Sequence, residues 1–358
     1  VGRFLRLPSD DGTVRLMYID DVVRYCLPLL FPGTDYDKYS AYSFKFTRDA
    51  EMEIDDDLHA GLAQKVAKAV RNRRRGPAMR VIYDTAMPPA LLEKLLRHLK
   101  VDSMDTLHPS GRYHNHKDFM SLPDFGRKDL EFGPMSPVVS PELRSSRSLL
   151  TEIQQHDRFI HVPYHTFDYL IRLLQEAAVS PRVRSIKMSL YRVAGHSKVV
   201  QALIAAARNG KKVTVLVELM ARFDEQENIS VAHILQEAGV KVLFGPEGLK
   251  VHAKLVLIGM RKSRDIACIS TGNFHEGNAR HYTDVLLFTS RPEIAAEANA
   301  VFDLIRNPFQ QNRFHRLLVS PNAMRDRIYS LIDNEIDAAS KGREAWIKIK
   351  INHITDRG

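Results

Sequence analysis
Hydrophobic positions along this chain recur with two periods, and the switch between them marks the elements. HTFDYLIRLLQEAAVSP (165–181), SKVVQALIAAARNG (197–210) and ISVAHILQEAG (229–239) space their apolar residues by three and four, the helical period. SIKMSLYRV (185–193), KKVTVLVELM (211–220) and KVLFG (241–245) are short, nearly continuous aliphatic runs, as expected of strands covered on both faces. Gly210 and Gly239 stand just past two of the helices and predict left-handed caps. This alternation predicts an α/β fold built on a parallel or mixed sheet. LKVHAKLVLIGM (249–260) and RDIACIST (264–271), joined by RKS, predict a β-hairpin. YTDVLLFTS (282–290) predicts a further strand and RPEIAAEANAVFDLIRN (291–307) a helix.

The flanks carry weaker patterns. YIDDVVRYCLPLLF (18–31) predicts a short helix opened by Asp20 or Asp21, and Tyr42, Phe44 and Phe46 alternate as on a strand. Residues 55–75 predict a helix with acids first and bases last, which suits the helix dipole. AMRVIYD (78–84) predicts a strand, and PPALLEKLLRHLK (88–100) a helix with proline in its first turn. Together these predict an α+β module over residues 1–125. Residues 126–155, with Pro134, Pro137, Pro141 and several serines, predict a connector. An α/β domain is then expected over 156–318, and the helix and strand of 319–358 (323–342 and 346–354) as the start of another domain.

Composition narrows the class. A chain of 358 residues with 44% hydrophobic content is globular and long enough for two or three cores. No apolar run reaches the ~18 residues of a spanning helix. Cys26 and Cys268 sit far apart in apolar settings, which predicts reduced core thiols and a cytoplasmic location. The net charge of +9 favours polyanions: nucleic acid, an acidic membrane surface or phosphate-rich substrates. RNRRR (71–75) fits a solvated helix end as well as a binding patch. Arginines outnumber lysines 33 to 19, and arginine is the better planar donor to phosphate oxygens.

The pattern H-x-K occurs three times, at His98/Lys100, His196/Lys198 and His252/Lys254, where about one match is expected by chance. Only the third is expected on a strand, where a spacing of two puts both heads on one face and Val251, Ala253 and Leu255 on the other. Burying an imidazole and an ammonium together needs a reason. Downstream, STGNFHEGNARHYTD (270–284) places Thr271, Gly272 and Asn273 at a strand end, where backbone amides and a carboxamide can hold an oxyanion. His275, Arg280 and His281 add donors; the plain alternative is an ordinary Gly/Asn loop. Arg192 and Arg222 follow two strands, at the rim where α/β sheets collect ligands. Arg222, before Phe223, Asp224 and Glu225, could equally belong to a turn that caps the next helix.

The segments 190–229, GLKVHAKLVLI and STGNFHEGNARHYTD strongly resemble the bacterial polyphosphate kinase family, the histidine-phosphorylating type with a phospholipase-D-like core. AYSFKFTRDAE and GRYHNHKDF resemble its head domain, and the likeness runs from about Val1 to Gly358. The resemblance implies an α+β head followed by a phospholipase-D-like mixed-sheet domain, and reversible transfer of the terminal phosphate of ATP to polyphosphate. It implies that His252 is the phosphorylated histidine, that Arg192 and Arg222 lie at a magnesium-phosphate site, and that Tyr282 contacts nucleotide. A guanidinium has no lone pair for a cation, so both arginines are expected on phosphate oxygens beside Mg2+. Lys254 would neutralise the transferring group and Asn273 would position it. ATP or ADP and polyphosphate are the implied partners, with homo-oligomers expected of the full-length form. No specific nucleic acid is implied, and peripheral membrane association is left open.

Two departures qualify the resemblance. Phospholipase-D motifs carry an aspartate soon after the lysine, whereas 255–260 reads LVLIGM; the kinase family shares the omission. Those kinases also use a second motif half and an N-terminal helical domain with a nucleotide-contacting asparagine, both expected to lie outside these 358 residues. This chain is therefore expected to bind phosphate but to turn over poorly. The remaining alternatives are a phospholipase-D-like diesterase or nuclease, and a non-catalytic basic polyanion-binding module.

Overall fold
The computed structural model describes residues 2–34, 36–48, 78–101, 107–133, 135–192, 197–219, 225–246, 250–310, 312–321, 324–349 and 351. The chain forms two compact units, Val1–Met135 and Ser136–Gly358.

In the first unit β1 (Phe4–Leu7) and β2 (Arg15–Tyr18) form an antiparallel hairpin that no apolar run announces. Two short helices follow, α1 (Ile19–Tyr25) and α2 (Leu27–Leu30), where one was expected; Pro28 restarts the helix. Asp20 and Asp21 lie inside the first turn of α1 instead of capping it. They are held by cations: Arg3 bridges Asp20 and Asp118 at 2.5 and 2.6 Å, and Arg24 takes Asp21 at 2.8 Å. A second sheet runs β3 (Phe44–Arg48), β4 (Ala78–Asp84), β5 (Leu107–Ser110), antiparallel then parallel. Phe44 and Phe46 stack on one face of β3, as the alternation requires. Helix α3 (Pro89–Leu99) begins at its proline pair, and Lys100 closes it in the left-handed region at φ 55°. The helix expected over 55–75 lies outside the described residues.

The second unit is built on a seven-stranded mixed sheet. Its strands are β6 (Arg158–Val162), β7 (Val183–Leu190), β8 (Lys212–Val217), β9 (Lys241–Phe244), β10 (Leu255–Met260), β11 (Ile266–Ser270) and β12 (Asp284–Thr289). The spatial order is β6-β12-β11-β10-β7-β8-β9; β7, β8 and β9 are parallel and the other neighbours antiparallel. The connecting helices are α6 (Asp168–Val179), α7 (Lys198–Arg208) and α8 (Glu225–Glu237). Gly210 and Gly239 take φ near +75° and +81°, values that favour glycine, and close α7 and α8. The fold class is thus α/β with a mixed sheet, as the alternation predicts.

The expected connector is not all linker. It holds α4 (Pro141–Ser145) and α5 (Leu149–Gln155), capped by the side chains of Ser140 and Ser148. Leu149, Leu150 and Ile153 are buried, so α5 is part of the core of this unit. On the other side of the sheet α9 (Pro292–Arg306) packs Ala295, Ala298, Val301 and Phe302 against Leu255, Leu257 and Ala267. Helix α10 (Met324–Ser340) buries no residue. The strand expected over 346–354 is not formed at 346–349 or 351, the residues described there, because no described strand pairs with them. Among the described residues no helix is long and apolar enough to cross a membrane.

Candidate functional site
The topology gathers one end of the large sheet. The parallel strands β7 and β8 finish there, at Leu190 and Val217. The antiparallel partners bring the start of β10, the end of β11 and the start of β12 to the same place. Tyr191, Glu218, His252, Lys254, the 271–273 turn and Asp284 therefore collect at one rim.

His252 and Lys254 lie just before β10, not within it: regular pairing starts at Leu255. The cause is a side chain. Ser189, 5% exposed, donates its Oγ hydrogen to the Ala253 carbonyl at 2.7 Å and accepts from the Leu255 amide at 2.9 Å, taking the place of ladder bonds. On the other side the ladder continues, with the Ser270 amide donating to the Lys254 carbonyl at 3.0 Å. Glu218, 4% exposed, accepts from the Val251 amide at 2.7 Å. Asn228, fully buried, donates to the carbonyls of Tyr191 and Glu218, both at 2.8 Å. The segment is thus fixed at 251, 253 and 255. Ala253, Leu255 and Leu257 pack toward α9, so alternation sends His252 and Lys254 to the opposite side.

Those two side chains meet on the ring of Tyr191. The His252 imidazole stands edge-on to it, centroids 5.1 Å apart and planes at 83°. The Lys254 Nζ lies 5.0 Å from the ring centroid and that of Lys250 5.1 Å. Lys254 also donates to the His252 carbonyl at 2.6 Å. Lys254 is only 7% exposed; burial pulls its ammonium down to about 8, the charge of Asp284 opposing and that of Lys250 adding to the fall. His252 keeps an exposed edge, yet desolvation, then Lys254, then Lys250, hold its imidazole below the ordinary histidine value. Near pH 7 it is therefore the neutral form, with a nitrogen lone pair to offer.

The 270–284 loop closes the rim. The Thr271 hydroxyl donates to Asp284 at 2.8 Å, and a Cβ at Gly272 would stand 2.1 Å from an Asp284 carboxylate oxygen, so only glycine fits unless that carboxylate moves. The Asn273 Oδ1 is buried without a hydrogen-bond partner. His275 is spent locally: its Nδ1 accepts from the Gly277 and Asn278 amides at 3.0 and 3.1 Å, which places its proton on Nε2. Glu276 ties the loop to α7, accepting from the Ser197 hydroxyl at 2.9 Å and the Val199 amide at 3.3 Å. Arg280, His281 and Tyr282 are exposed.

Arg192 comes directly after Tyr191, half-buried at the same rim, whereas Arg222 lies outside the described residues. The other two H-x-K pairs fall elsewhere: His98 and Lys100 end α3, Lys198 opens α7 and His196 lies outside the described residues. Sequence reasoning missed Ser189, Tyr191, Glu218, Asn228 and Asp284, which read locally as ordinary strand, helix or loop residues. Among the described residues no three His, Cys, Asp or Glu side chains cluster around a metal site. The oxygens here include the unpartnered Asn273 Oδ1 and the carboxylates of Asp284 and Glu218, fewer than an all-protein cage needs, so they suit magnesium carried on phosphates.

Comparison with known proteins supplies the family. Residues 1–122 match the polyphosphate kinase middle domain, 148–311 its C-terminal domain 1 and 317–358 its C-terminal domain 2. The chain is 42% identical over 362 residues to a polyphosphate kinase of Vibrio parahaemolyticus, covering 99% of this chain and 52% of that one. It is 40% identical over 371 residues to a polyphosphate kinase of Escherichia coli K12, covering 100% and 53%. The crystal structure of polyphosphate kinase from Porphyromonas gingivalis superposes with a TM-score of 0.76 at 34% identity, over 96% of this chain and 50% of that one. The chain spans about half the length of the curated relatives it matches. With three family domains in sequence along one chain and relatives alike over its whole length, the protein belongs to the polyphosphate kinase family.

Proposed function
We propose that this chain carries the phosphoryl-transfer centre of an ATP–polyphosphate phosphotransferase, with His252 as the residue that receives the phosphate. One observation carries the proposal: His252, held below its ordinary pKa and so neutral, stands between two lysines on one aromatic ring at the rim of the sheet. A neutral imidazole nitrogen attacks the terminal phosphorus of ATP. The N–P bond forms as the bond from phosphorus to the bridging oxygen breaks, and ADP leaves with that electron pair. A terminal oxygen of polyphosphate then attacks the same phosphorus, the N–P bond breaks, and the chain is one phosphate longer. The reverse sequence returns the phosphate to ADP. Lys254 neutralises charge on the transferring group, Arg192 and Arg222 bind phosphate oxygens, Asn273 positions the group, and Tyr282, 61% exposed, is free to meet the nucleotide. Magnesium on the phosphates would add further neutralisation.

The strand after Lys254 disfavours the diesterase alternative. All six residues of β10 are buried and none is acidic, so no carboxylate stands where that chemistry uses one. The division into a head (1–125) and a catalytic domain (156–318) belongs to the same proposal, supported by the matched spans 1–122 and 148–311 and extended at its start by α5. So do homo-oligomer formation in the full-length form and a cytoplasmic location.

Mass spectrometry after incubation with ATP and Mg2+ tests the proposal, on this chain and on a version of the relatives' length. Acid-labile, base-stable phosphate on His252 is expected, at least in the longer form. An active longer form with no phosphate on His252 would overturn the covalent mechanism.

A further inference from the structure
We infer that Lys250, with Tyr191 as its platform, forms a seat for the phosphate adjoining the one being transferred, so that the site selects condensed phosphates over single phosphates. The inference rests on the placement of phosphoryl transfer at His252. Lys250, His252 and Lys254 are spaced by two, and in extended chain each such step is about 7 Å with side chains on one face. All three heads converge on one ring, as the 5.1, 5.1 and 5.0 Å separations of Lys250, His252 and Lys254 from Tyr191 record. Depth separates the two cations: Lys254 is buried, whereas His252 and Lys250 are both exposed. The imidazole thus stands between an inner cation and an outer one.

Such crowding is unfavourable without an anion. The Lys250 charge acts against protonation of both His252 and Lys254. Among the described residues no carboxylate lies within ion-pair distance of Lys250 or Lys254; Asp284 reaches Lys254 only through its field. The repulsion is held in place by the ring, and the ring by Asn228, which donates to the Tyr191 carbonyl from full burial. A lone phosphate at His252 needs the inner ammonium only. The outer one becomes useful when a second phosphate is joined to the first and extends toward solvent. The ligand class is therefore a chain of two or more linked phosphates, whether inorganic or the tail of a nucleotide.

The test compares the 358-residue chain with Lys250→Met by calorimetric titration with orthophosphate, tripolyphosphate and ATP. The substitution is expected to weaken tripolyphosphate about tenfold and orthophosphate by less than about twofold. A parallel loss for ATP places the nucleotide tail on the same seat; a loss for tripolyphosphate alone assigns the seat to the inorganic chain. Lys250→Arg should recover most of the affinity, and Tyr191→Leu should lose it as Lys250→Met does. Independently, the His252 imidazole, followed by NMR, should titrate at higher pH in Lys250→Met. Tripolyphosphate binding unchanged by Lys250→Met, or an equal loss for orthophosphate, would overturn the inference. The same comparison in a His252→Ala background, which cannot carry phosphate, should give the same tenfold loss. Failure of the phosphohistidine mechanism would then appear in mass spectrometry alone.

Discussion

Lys254→Met isolates the energetic conflict at the centre of the site. In the fold the ammonium titrates near 8 instead of 10.5, chiefly because it is buried. Each pH unit of separation is worth about 1.4 kcal/mol, so keeping Lys254 charged below pH 8 costs the fold about 3 kcal/mol. Against that stand the bond to the His252 carbonyl and the contact with Tyr191, together worth about 2–3 kcal/mol. Methionine has similar length and no charge, so at pH 7 the variant should unfold within about 1 kcal/mol of the parent. Removing one member of a compensated buried ion pair would instead cost about 3–5 kcal/mol. The pH dependence is the sharper test. Between pH 8 and 10.5 unfolded Lys254 binds a proton that the folded form does not, so the parent gains stability as pH rises. That gain, about 3 kcal/mol, is complete above 10.5 and lost as pH falls through 8; the variant has none of it. Urea unfolding of both proteins at intervals from pH 7 to 10.5 measures the difference, and titrations common to both cancel. A difference that stays constant across this range would refute the argument that burial governs Lys254.

Three further outcomes rest on contacts elsewhere at the rim and beside it. Ser189→Ala leaves the Leu255 amide and Ala253 carbonyl without their bridge, and should lose about 1–3 kcal/mol in denaturant unfolding together with phosphate incorporation at His252; full incorporation would deny Ser189 a positioning role. Gly272→Ala puts a methyl against the Asp284 carboxylate and should break the Thr271 hydroxyl bond at a cost of about 1–3 kcal/mol, whereas an unchanged melting temperature would mean that Asp284 yields freely. Burial works against ionisation of Glu297, but the amides of Leu317, His315 and Arg316 outweigh it and hold the carboxyl below its ordinary 4.5; the stabilisation that comes from this depression is present above that range and lost as pH falls through the folded value, so Glu297→Leu, which leaves those amides unpaired, should cost about 3 kcal/mol at pH 7 in denaturant unfolding and less at acid pH, and a cost that does not fall with pH would refute the reasoning.

What the sequence made legible was what depends on period. The strands and helices from 165 to 307 announce themselves because each is long enough for its apolar spacing to repeat. β6 was hidden because Phe159 faces solvent and His161 interrupts the run, so its five residues look like loop. α4 and α5 were hidden by the prolines and serines read as linker; Pro141 and Ser148 are in fact start signals, one at a first turn and one as a cap. The described residues of WIKIKINHI, 346–349 and 351, show the opposite error: their alternation is real, but a strand also needs a neighbour, which no local pattern reports. The site divides in the same way. The spacing of His252 and Lys254 marks them as a pair, and the 271–273 turn reads as polar. Ser189, Glu218 and Asn228 act through tertiary hydrogen bonds to 251–255, 218 and 191, so nothing in their own neighbourhoods sets them apart.

The distribution of local conflicts bears on where the chemistry lies. A buried lysine, a buried glutamate, an asparagine at 273 and another at 228 with unpartnered side-chain oxygens, and a glycine pressed against a carboxylate all occur at the one end of the large sheet. Each is unfavourable by the standards of a settled core, and a core has no use for them together. The adjoining apolar strand resolves the contradiction: β10 is buried along its whole length and lies between β7 and β11. Its rigidity lets Leu255 and Ser189 hold His252 and Lys254 in place, and the apolar run LVLIGM is what allows the strand to serve as the anchor. A carboxylate there would pair with Lys254, raise its affinity for protons and make the imidazole more basic. That would cancel the charge Lys254 offers to a phosphate and draw a proton onto the neutral nucleophile, the two features on which the proposed phosphoryl transfer at His252 depends.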